Sequence, residues 1–136
     1  MFRNFPLDFH ANAVPAAKAA ICAGEQDAKV FWELHDWLFA NQEIWQSAGD
    51  AADQFRAQAV ALGADGAKYD VCMANAATQA TIDKDMQEAT ALGVRGTPAF
   101  FLSVMEGGKP VGDAKPLSGA LPFAQFSDVI DGLLNR

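Results

Sequence analysis

Two cysteines and two histidines are the residues of this 136-residue chain with the most distinctive chemistry. Cys22 and Cys72 lie fifty positions apart, which allows either one disulfide bond or two buried thiols. Together with His10 and His35 they form no close ligand pair such as C-x₂₋₄-C or H-x₃₋₅-H, so no metal site is predicted. The chain also has no glycine-rich phosphate loop, no G-x-S-x-G and no H-E-x-x-H, and no cofactor is expected.

A further candidate is the turn Gly96-Thr97-Pro98, which follows a helical pattern and precedes an apolar run. Gly93 can adopt the left-handed conformation that ends a helix, and Gly96 leaves room for another backbone to approach. Pro98 fixes φ and lacks an N–H where residues 99–102 read as a buried strand, so the Thr97–Pro98 bond is a candidate for a cis peptide. On spacing alone, a proline that only begins an edge strand is the simpler interpretation.

The composition indicates one globular domain and excludes several classes of function. Hydrophobic residues make up 51% of the chain, with ten Phe and three Trp. A net charge of −7 argues against a surface that binds nucleic acid. No run approaches the roughly 18 apolar residues of a membrane-spanning helix. No charged stretch followed by an apolar one marks a signal peptide in this chain. Neither a nucleic-acid partner nor insertion into a membrane is therefore expected.

Hydrophobic periodicity predicts an order of one strand, several helices, two strands and a last helix. The predicted elements are a strand at 2–5, helices at 12–24, 28–41, 51–62, 65–75 and 78–92, a turn at 44–45, strands at 99–105 and about 111–118, and a helix from 122 onward. This order predicts a single α/β domain, 1–136, in which about 12–92 form a helical insertion between 1–6 and 97–136.

Side-chain orientation is predicted for two of these helices. In the helix at 78–92, the pattern places Ile82 and Met86 in the core, whereas Asp85 faces water. In the last helix, Phe123 and Leu134 are predicted to be buried.

The turn resembles the cis-proline loop of thioredoxin-fold proteins, and nearly the whole chain resembles the DsbA-like thiol-disulfide oxidoreductases. The matching segments, in family order, are Phe2–Leu7, His10–Ala13, Ala19–Ala23, Phe31–Phe39, Gly96–Pro98 and Gly119–Phe126. The resemblance implies a thioredoxin-like fold with an inserted helical subdomain, and a periplasmic or other extracytoplasmic location.

The resemblance also assigns roles to residues. Pro98 corresponds to the cis-proline, and Thr97 before it to the residue that contacts the substrate and tunes the thiol potential. Together, Arg95, Gly96, Thr97 and Pro98 would bind a substrate protein or peptide in extended conformation, with Arg95 stabilising a nearby thiolate. Because some relatives carry a second cysteine pair at similar positions, Cys22 and Cys72 are candidates for a structural disulfide. Neither cysteine begins a helix, so no catalytic role is predicted for them.

The chain departs from the family in one respect, because the family's Cys-x-x-Cys is absent. No catalytic residue is therefore assigned, and the fold is expected to lack its first βα unit. That unit would contribute a strand between 2–5 and 99–102, and without it buried backbone groups would be unpaired. We expect an upstream segment or a second chain to supply this strand.

The leading hypothesis for function is a DsbA-like enzyme that forms or exchanges disulfides in substrate proteins. The present chain is expected to be inactive alone, so whether it is itself an enzyme stays open. Two alternatives are a redox-dead peptide-binding or structural module and a relative of the kappa-type glutathione transferases. The three hypotheses predict different upstream segments. The enzyme requires an upstream Cys-x-x-Cys, the redox-dead module has no such segment, and the glutathione-transferase relative has a single upstream Ser or Cys.

Overall fold

The computed structural model describes residues 1–135, which form two compact units, Met1–Ala91 and the chain from Leu92 onward. The first unit consists of helices and the second of a β-hairpin with one helix. The elements are α1 Ala13–Gly24, α2 Ala28–Ala40, α3 Gln42–Trp45, α4 Ala51–Ala61, α5 Gly66–Ala74, α6 Ala76–Ala91, β1 Ala99–Glu106, β2 Lys109–Ser118 and α7 Phe123–Leu134.

Local sequence explains where several helices begin and end. The Asp27 carboxylate accepts a hydrogen bond from the backbone of α2, and Asp65 does the same for α5. Gly63 and Gly93, which follow α4 and α6, have φ of 108° and 81°, where a side chain would be strained. The residues at 44–45, expected as a turn, belong to the one-turn helix α3.

Asn12 holds α1 in a way that differs from the expected cap. It occupies the position before α1, but its side chain makes no capping bond to that helix. Its amide nitrogen instead lies 2.9, 3.2 and 3.0 Å from the carbonyl oxygens of Trp45, Gln46 and Ala48. The amide thus binds carbonyls at and just after the end of α3 and fixes the start of α1 against them.

Helix α1 lies at the centre of the first unit and contacts α2, α4, α5 and α6. Its buried face is made of small side chains, so the neighbouring helices approach closely: Ala16, Ala19, Ala20, Cys22 and Ala23. Larger side chains from the surrounding helices complete the core, including Leu34, Phe55 and Tyr69. The helical unit is therefore organised around a slender helix with no large side chain on its buried face.

The hydroxyl of Tyr69 is a polar group buried in this core without a hydrogen bond to any described residue. Within the described residues, Oη is buried and has no hydrogen-bond partner. Burial, with a smaller contribution from Asp70, raises the pKa of Tyr69 from its ordinary value near 10 to about 12. An unpaired buried hydroxyl costs free energy, and the neutral form is the one that the fold favours.

We therefore expect Tyr69→Phe to raise the free energy of unfolding at pH 7 by about 1 kcal/mol. Because the folded pKa lies above the unfolded one, wild-type stability is intact below pH 10 and falls between pH 10 and 12. At pH 11, one unit above the unfolded pKa, that fall is about 1 kcal/mol, and it is missing in the variant. Urea unfolding at pH 7, 9 and 11 measures both effects, and parallel pH profiles for the two proteins would contradict the assignment.

The second unit contains an antiparallel hairpin, β1–β2, with α7 packed on one face. The strands pair from Ala99 with Ser118 to Glu106 with Lys109, and the register shifts between Leu102 and Val104. Gly107 and Gly108, with φ of 56° and 79°, form the two-residue turn expected from the sequence. The contact with α7 includes an edge-to-face pair of Phe100 and Phe126, whose ring centroids are 4.9 Å apart.

Two expectations for α7 were wrong. Phe123 is 82% exposed and Leu134 is 70% exposed, although both were predicted to be buried. Leu133 is the residue of α7 that is buried among those described. A two-stranded hairpin offers too little apolar surface to cover both ends of a twelve-residue helix.

The strand predicted at 2–5 is also wrong, because these residues have no regular secondary structure. In residues 1–135 the strands β1 and β2 pair only with each other, so no neighbour holds the segment extended. The Asn4 N–H donates to a carboxylate of α6 instead of to a strand. Residues 1–6 accordingly cluster with the helical unit, whereas sequence analysis grouped them with 97–136.

Candidate functional site

The loop between α6 and β1 places the predicted substrate-binding residues side by side. Gly93 ends the helical segment, and the Thr97–Pro98 peptide bond is cis. The Pro98 carbonyl accepts a hydrogen bond of 2.8 Å from the N–H of Gly119, just after β2. This bond fixes the loop to the far end of the hairpin, so β1 leaves the turn in a defined direction.

The surface of this loop offers backbone groups and one cation. Thr97 and Pro98 are exposed, and a side-chain carbon built on Gly96 would meet no atom within 4 Å. Neither the N–H nor the C=O of Thr97 is hydrogen-bonded to a described residue. Arg95 is exposed and forms no ion pair within residues 1–135. Free backbone groups of this kind are those that pair with an extended strand, and residues 93–98 include no cysteine.

The predicted disulfide between Cys22 and Cys72 is present and joins α1 to α5. Their Cα atoms are 5.5 Å apart, and both residues are buried. The Thr78 hydroxyl donates to the Cys72 carbonyl at 2.8 Å and lies 3.5 Å from the Cys72 sulfur. Because a substrate thiolate cannot reach either sulfur, this pair acts as a structural crosslink.

The sequence matches a known protein family over nearly its whole length. A family described as the DSBA-like thioredoxin domain matches residues 2–131, nearly the whole sequence. The chain belongs to the DsbA-like thioredoxin domain family. This confirms the family and the thioredoxin-like α/β fold class predicted from the sequence. It also supports the coarser functional prediction, because the family is one of thiol-disulfide oxidoreductases that are typically extracytoplasmic.

Similarity to individual proteins adds less about this DsbA-like domain. Over 104 residues, which are 76% of this chain, it is 36% identical to the Na(+)/H(+) antiporter NhaA 3 of Salinispora tropica. It is 35% identical over 104 residues to the Na(+)/H(+) antiporter NhaA 1 of Salinispora arenicola, again 76% of this chain. The chain spans 15% of the length of these curated relatives. No solved structure matches the chain, and no described helix is long and apolar enough to cross a membrane.

The two histidines of the DsbA-like domain have different surroundings. The backbone of His10 bonds locally, with its N–H donating to the Leu7 carbonyl at 3.1 Å. His35 is partly exposed, and its Nδ1 lies 2.9 Å from a carboxylate oxygen of Asp36. No cluster of potential metal ligands occurs in the portion of the chain that the structure describes.

Asp85 was predicted to face water, but it is the most buried charged residue among those described. It is 3% exposed, and its carboxylate accepts hydrogen bonds from Arg3 Nη1 at 2.8 Å and from the Asn4 N–H and Nδ2, each at 2.9 Å. Arg3 also reaches Glu88 at 3.1 Å. One signal was available, because Asp85 follows Ile82 by three positions and so shares its buried face.

Proposed function

We propose that this chain is the substrate-binding part of a periplasmic DsbA-like thiol-disulfide oxidoreductase. In this proposal, residues Arg95–Pro98 hold an extended segment of a substrate protein by backbone hydrogen bonds. A Cys-x-x-Cys outside residues 1–136, on the same polypeptide or on a second chain, carries out the exchange. The proposal extends the family assignment to a substrate class and to named residues.

The observation that carries the proposal is the exposed loop at Thr97. Its N–H and C=O, which no residue among 1–135 pairs, lie at the entrance of β1, and space is open beside Gly96. These are the groups that pairing with an extended peptide requires. The exposed guanidinium of Arg95 adds a positive charge that would favour a thiolate over a thiol nearby.

The exchange itself requires a thiolate that this chain does not provide. In the complete reaction, a thiolate attacks one sulfur of a substrate disulfide, the S–S bond breaks, and the other sulfur leaves as a thiolate. Both cysteines of this chain are buried and bonded to each other. The chain alone is therefore proposed to bind substrate without turning it over.

We expect the chain alone to leave the reduction of a peptide–glutathione mixed disulfide by dithiothreitol at its uncatalysed rate. A fluorogenic mixed disulfide makes the rate directly measurable. Turnover that disappears in Cys22→Ala would show that this cysteine exchanges after all. Turnover that persists in Cys22→Ala would require a different nucleophile, and either result would contradict the proposal.

The binding half of the proposal has its own test. An unstructured peptide with blocked cysteines should shift the amide resonances of Gly96 and Thr97, as seen by NMR spectroscopy of the labelled chain. The same peptide with N-methylated backbone amides is the matched control and should bind more weakly, because it lacks the donors for pairing. Equal binding of the two peptides would exclude backbone pairing.

The mass of the protein isolated from its native cells identifies the source of the thiol. A form longer than 136 residues that contains Cys-x-x-Cys supports the same-polypeptide arrangement. A 136-residue form that co-purifies with a second, Cys-x-x-Cys-bearing chain supports the two-chain arrangement. Peptide binding by a form with neither would replace the oxidoreductase by a redox-dead binding module.

A further inference from the structure

The crosslink between Cys22 and Cys72 is enclosed by the folded helical unit. Cys22 is 1% exposed and Cys72 is 8% exposed. Forming the bond by thiol–disulfide exchange needs a thiolate that an incoming disulfide can approach. Residues 1–136 contain no third cysteine, so a disulfide that oxidises this pair lies outside them. The bond must therefore form while part of the helical unit is open.

Helix α1, which carries Cys22, is poorly suited to open. It contacts four other helices, α2, α4, α5 and α6. Five of its side chains are buried, and two of them, Ala19 and Ala23, have no exposed surface. Moving α1 would break contacts with all four neighbours and take the core of the unit apart.

Helix α5, which carries Cys72, is held much less firmly. Two of its nine residues, Tyr69 and Cys72, are buried, and the Tyr69 hydroxyl has no hydrogen-bond partner among the described residues. Arg56 of α4 bonds both carboxylate oxygens of Asp70, but both side chains are about half exposed, and exposed ion pairs stabilise little. Opening α5 therefore loses few buried contacts and lets the Tyr69 hydroxyl reach water.

Residues on both sides of α5 can serve as hinges. Gly63, before the helix, has a φ of 108°, and Asn75, after it, has an extended backbone that separates α5 from α6. When α5 lifts away, Cys72 moves with it into solvent. Cys22 stays on α1 at the floor of the gap, where the other neighbours of α1 still restrict the approach of an oxidant.

Few hydrogen bonds oppose this opening. The Gln26 side chain accepts a bond of 2.8 Å from the N–H of Asp65, which precedes α5, so this bond can stay in place. At the other end, the Thr78 hydroxyl donates to the Cys72 carbonyl at 2.8 Å. That bond has to break when the end of α5 moves.

We propose that α5 opens from the reduced helical unit and that an external disulfide, such as oxidised glutathione, reacts first with Cys72. The Cys72 thiolate attacks that disulfide, which forms a mixed disulfide and releases one thiolate of the oxidant. As α5 returns, the Cys22 thiolate attacks the Cys72 sulfur, closes the crosslink and releases the second thiolate. The two cysteines lose two electrons and two protons, and the oxidant leaves as two thiols. The inference does not rest on the proposed exchange at the Thr97 loop.

Two single variants separate the cysteines, because Cys22→Ala keeps Cys72, Cys72→Ala keeps Cys22, and neither can form the crosslink. Each reduced, folded variant is treated with oxidised glutathione, and the adduct is followed by mass spectrometry. We expect Cys72 to react at least about tenfold faster than Cys22. Urea below the unfolding transition should change the Cys72 rate little, because local opening exposes little surface. Equal rates, a faster Cys22, or a Cys72 rate with the urea dependence of global unfolding would overturn the proposal.

Variants in the Cys22→Ala background test which element opens. Tyr69→Phe removes the unpaired hydroxyl and should slow the reaction of the remaining cysteine about fivefold. Asp70→Asn breaks the ion pair with α4 and should speed the reaction about threefold. Glu33→Gln breaks an exposed ion pair within α2 and is the matched control, with no change in rate expected. An equal acceleration by Glu33→Gln and Asp70→Asn would show general unfolding instead of opening of α5, and would overturn the proposal.

A measurement on the wild type decides the question if a reduced variant does not fold. In the intact, oxidised chain, amide hydrogen exchange at Asp70 and Val71 of α5 should be faster than at Ala19 and Ala23 of α1. Equal protection of the two helices would mean that α5 does not open separately, and the proposal would then be wrong.

Discussion

Replacing Cys22 and Cys72 together by alanine is expected to lower the free energy of unfolding by about 4 kcal/mol. The disulfide closes a loop with a sequence separation of 50 residues, and without it the unfolded chain regains the entropy of that loop. Alanine is chosen because both positions are buried, so a serine hydroxyl would add a cost of its own. Small domains are stable by roughly 5–15 kcal/mol, so much of the net stability is at stake.

Urea unfolding with and without dithiothreitol measures this effect. Wild type should become as unstable as the double variant when reduced, whereas the double variant should not respond to the reductant. Substrate-peptide binding at the Thr97 loop should persist in the folded double variant, because the crosslink lies within the helical unit. Equal stability of the oxidised wild type and the double variant would contradict the structural role.

Asp85→Ala is expected to cost about 2 kcal/mol, within the range for leaving buried hydrogen-bonding groups without a partner, because Asn4 is buried whereas Arg3 is half-exposed. Its carboxylate accepts three hydrogen bonds from Arg3 and Asn4. Without it, the two Asn4 donors have no partner at their present positions and Arg3 keeps only Glu88, so residues 1–7 should detach from α6. The matched control is Asp83→Ala on the same helix, where the exposed carboxylate bonds only Gln79, and a change within about 0.5 kcal/mol is expected.

Two readouts distinguish detachment of the segment from a general loss of stability. Amide hydrogen exchange at Asn4 should become fast in Asp85→Ala, while exchange at Leu34 in the core stays slow. Limited proteolysis should cut near the N-terminus of that variant first. Equal effects of Asp83→Ala and Asp85→Ala on both readouts would show that the buried carboxylate does not hold the segment.

Local signals in the sequence were sufficient for most helices and for the loop of the candidate site. Apolar periodicity, and glycines such as Gly63 and Gly93, placed α1, α2, α4, α5 and α6 within a few residues of their observed bounds. Arg95 to Pro98 are adjacent in sequence, so a short motif was enough to group them. The Gly107-Gly108 turn likewise needs no information from outside the hairpin.

The features that escaped prediction depend on contacts between distant residues. A strand exists only beside another strand, so composition at 2–5 could not decide the conformation of that segment. The spacing of Asp85 from Ile82 indicated a buried face, but not the donors that satisfy its carboxylate there, which come from residues 81 and 82 positions away. Phe2 similarly packs against Phe31, Trp32 and His35 of α2, far along the chain.

The small-residue face of α1 bears on how this helical unit can change over evolution. Ala19 and Ala23 are fully buried, and four helices surround the axis on which they lie. A larger side chain at either position would have to push a neighbour outward, while glycine would loosen the helix itself. Few substitutions are therefore tolerated on the buried face of α1, whereas many are tolerated on the exposed faces of the surrounding helices. New binding specificities would arise on the outer faces of the surrounding helices, with the central helix unchanged.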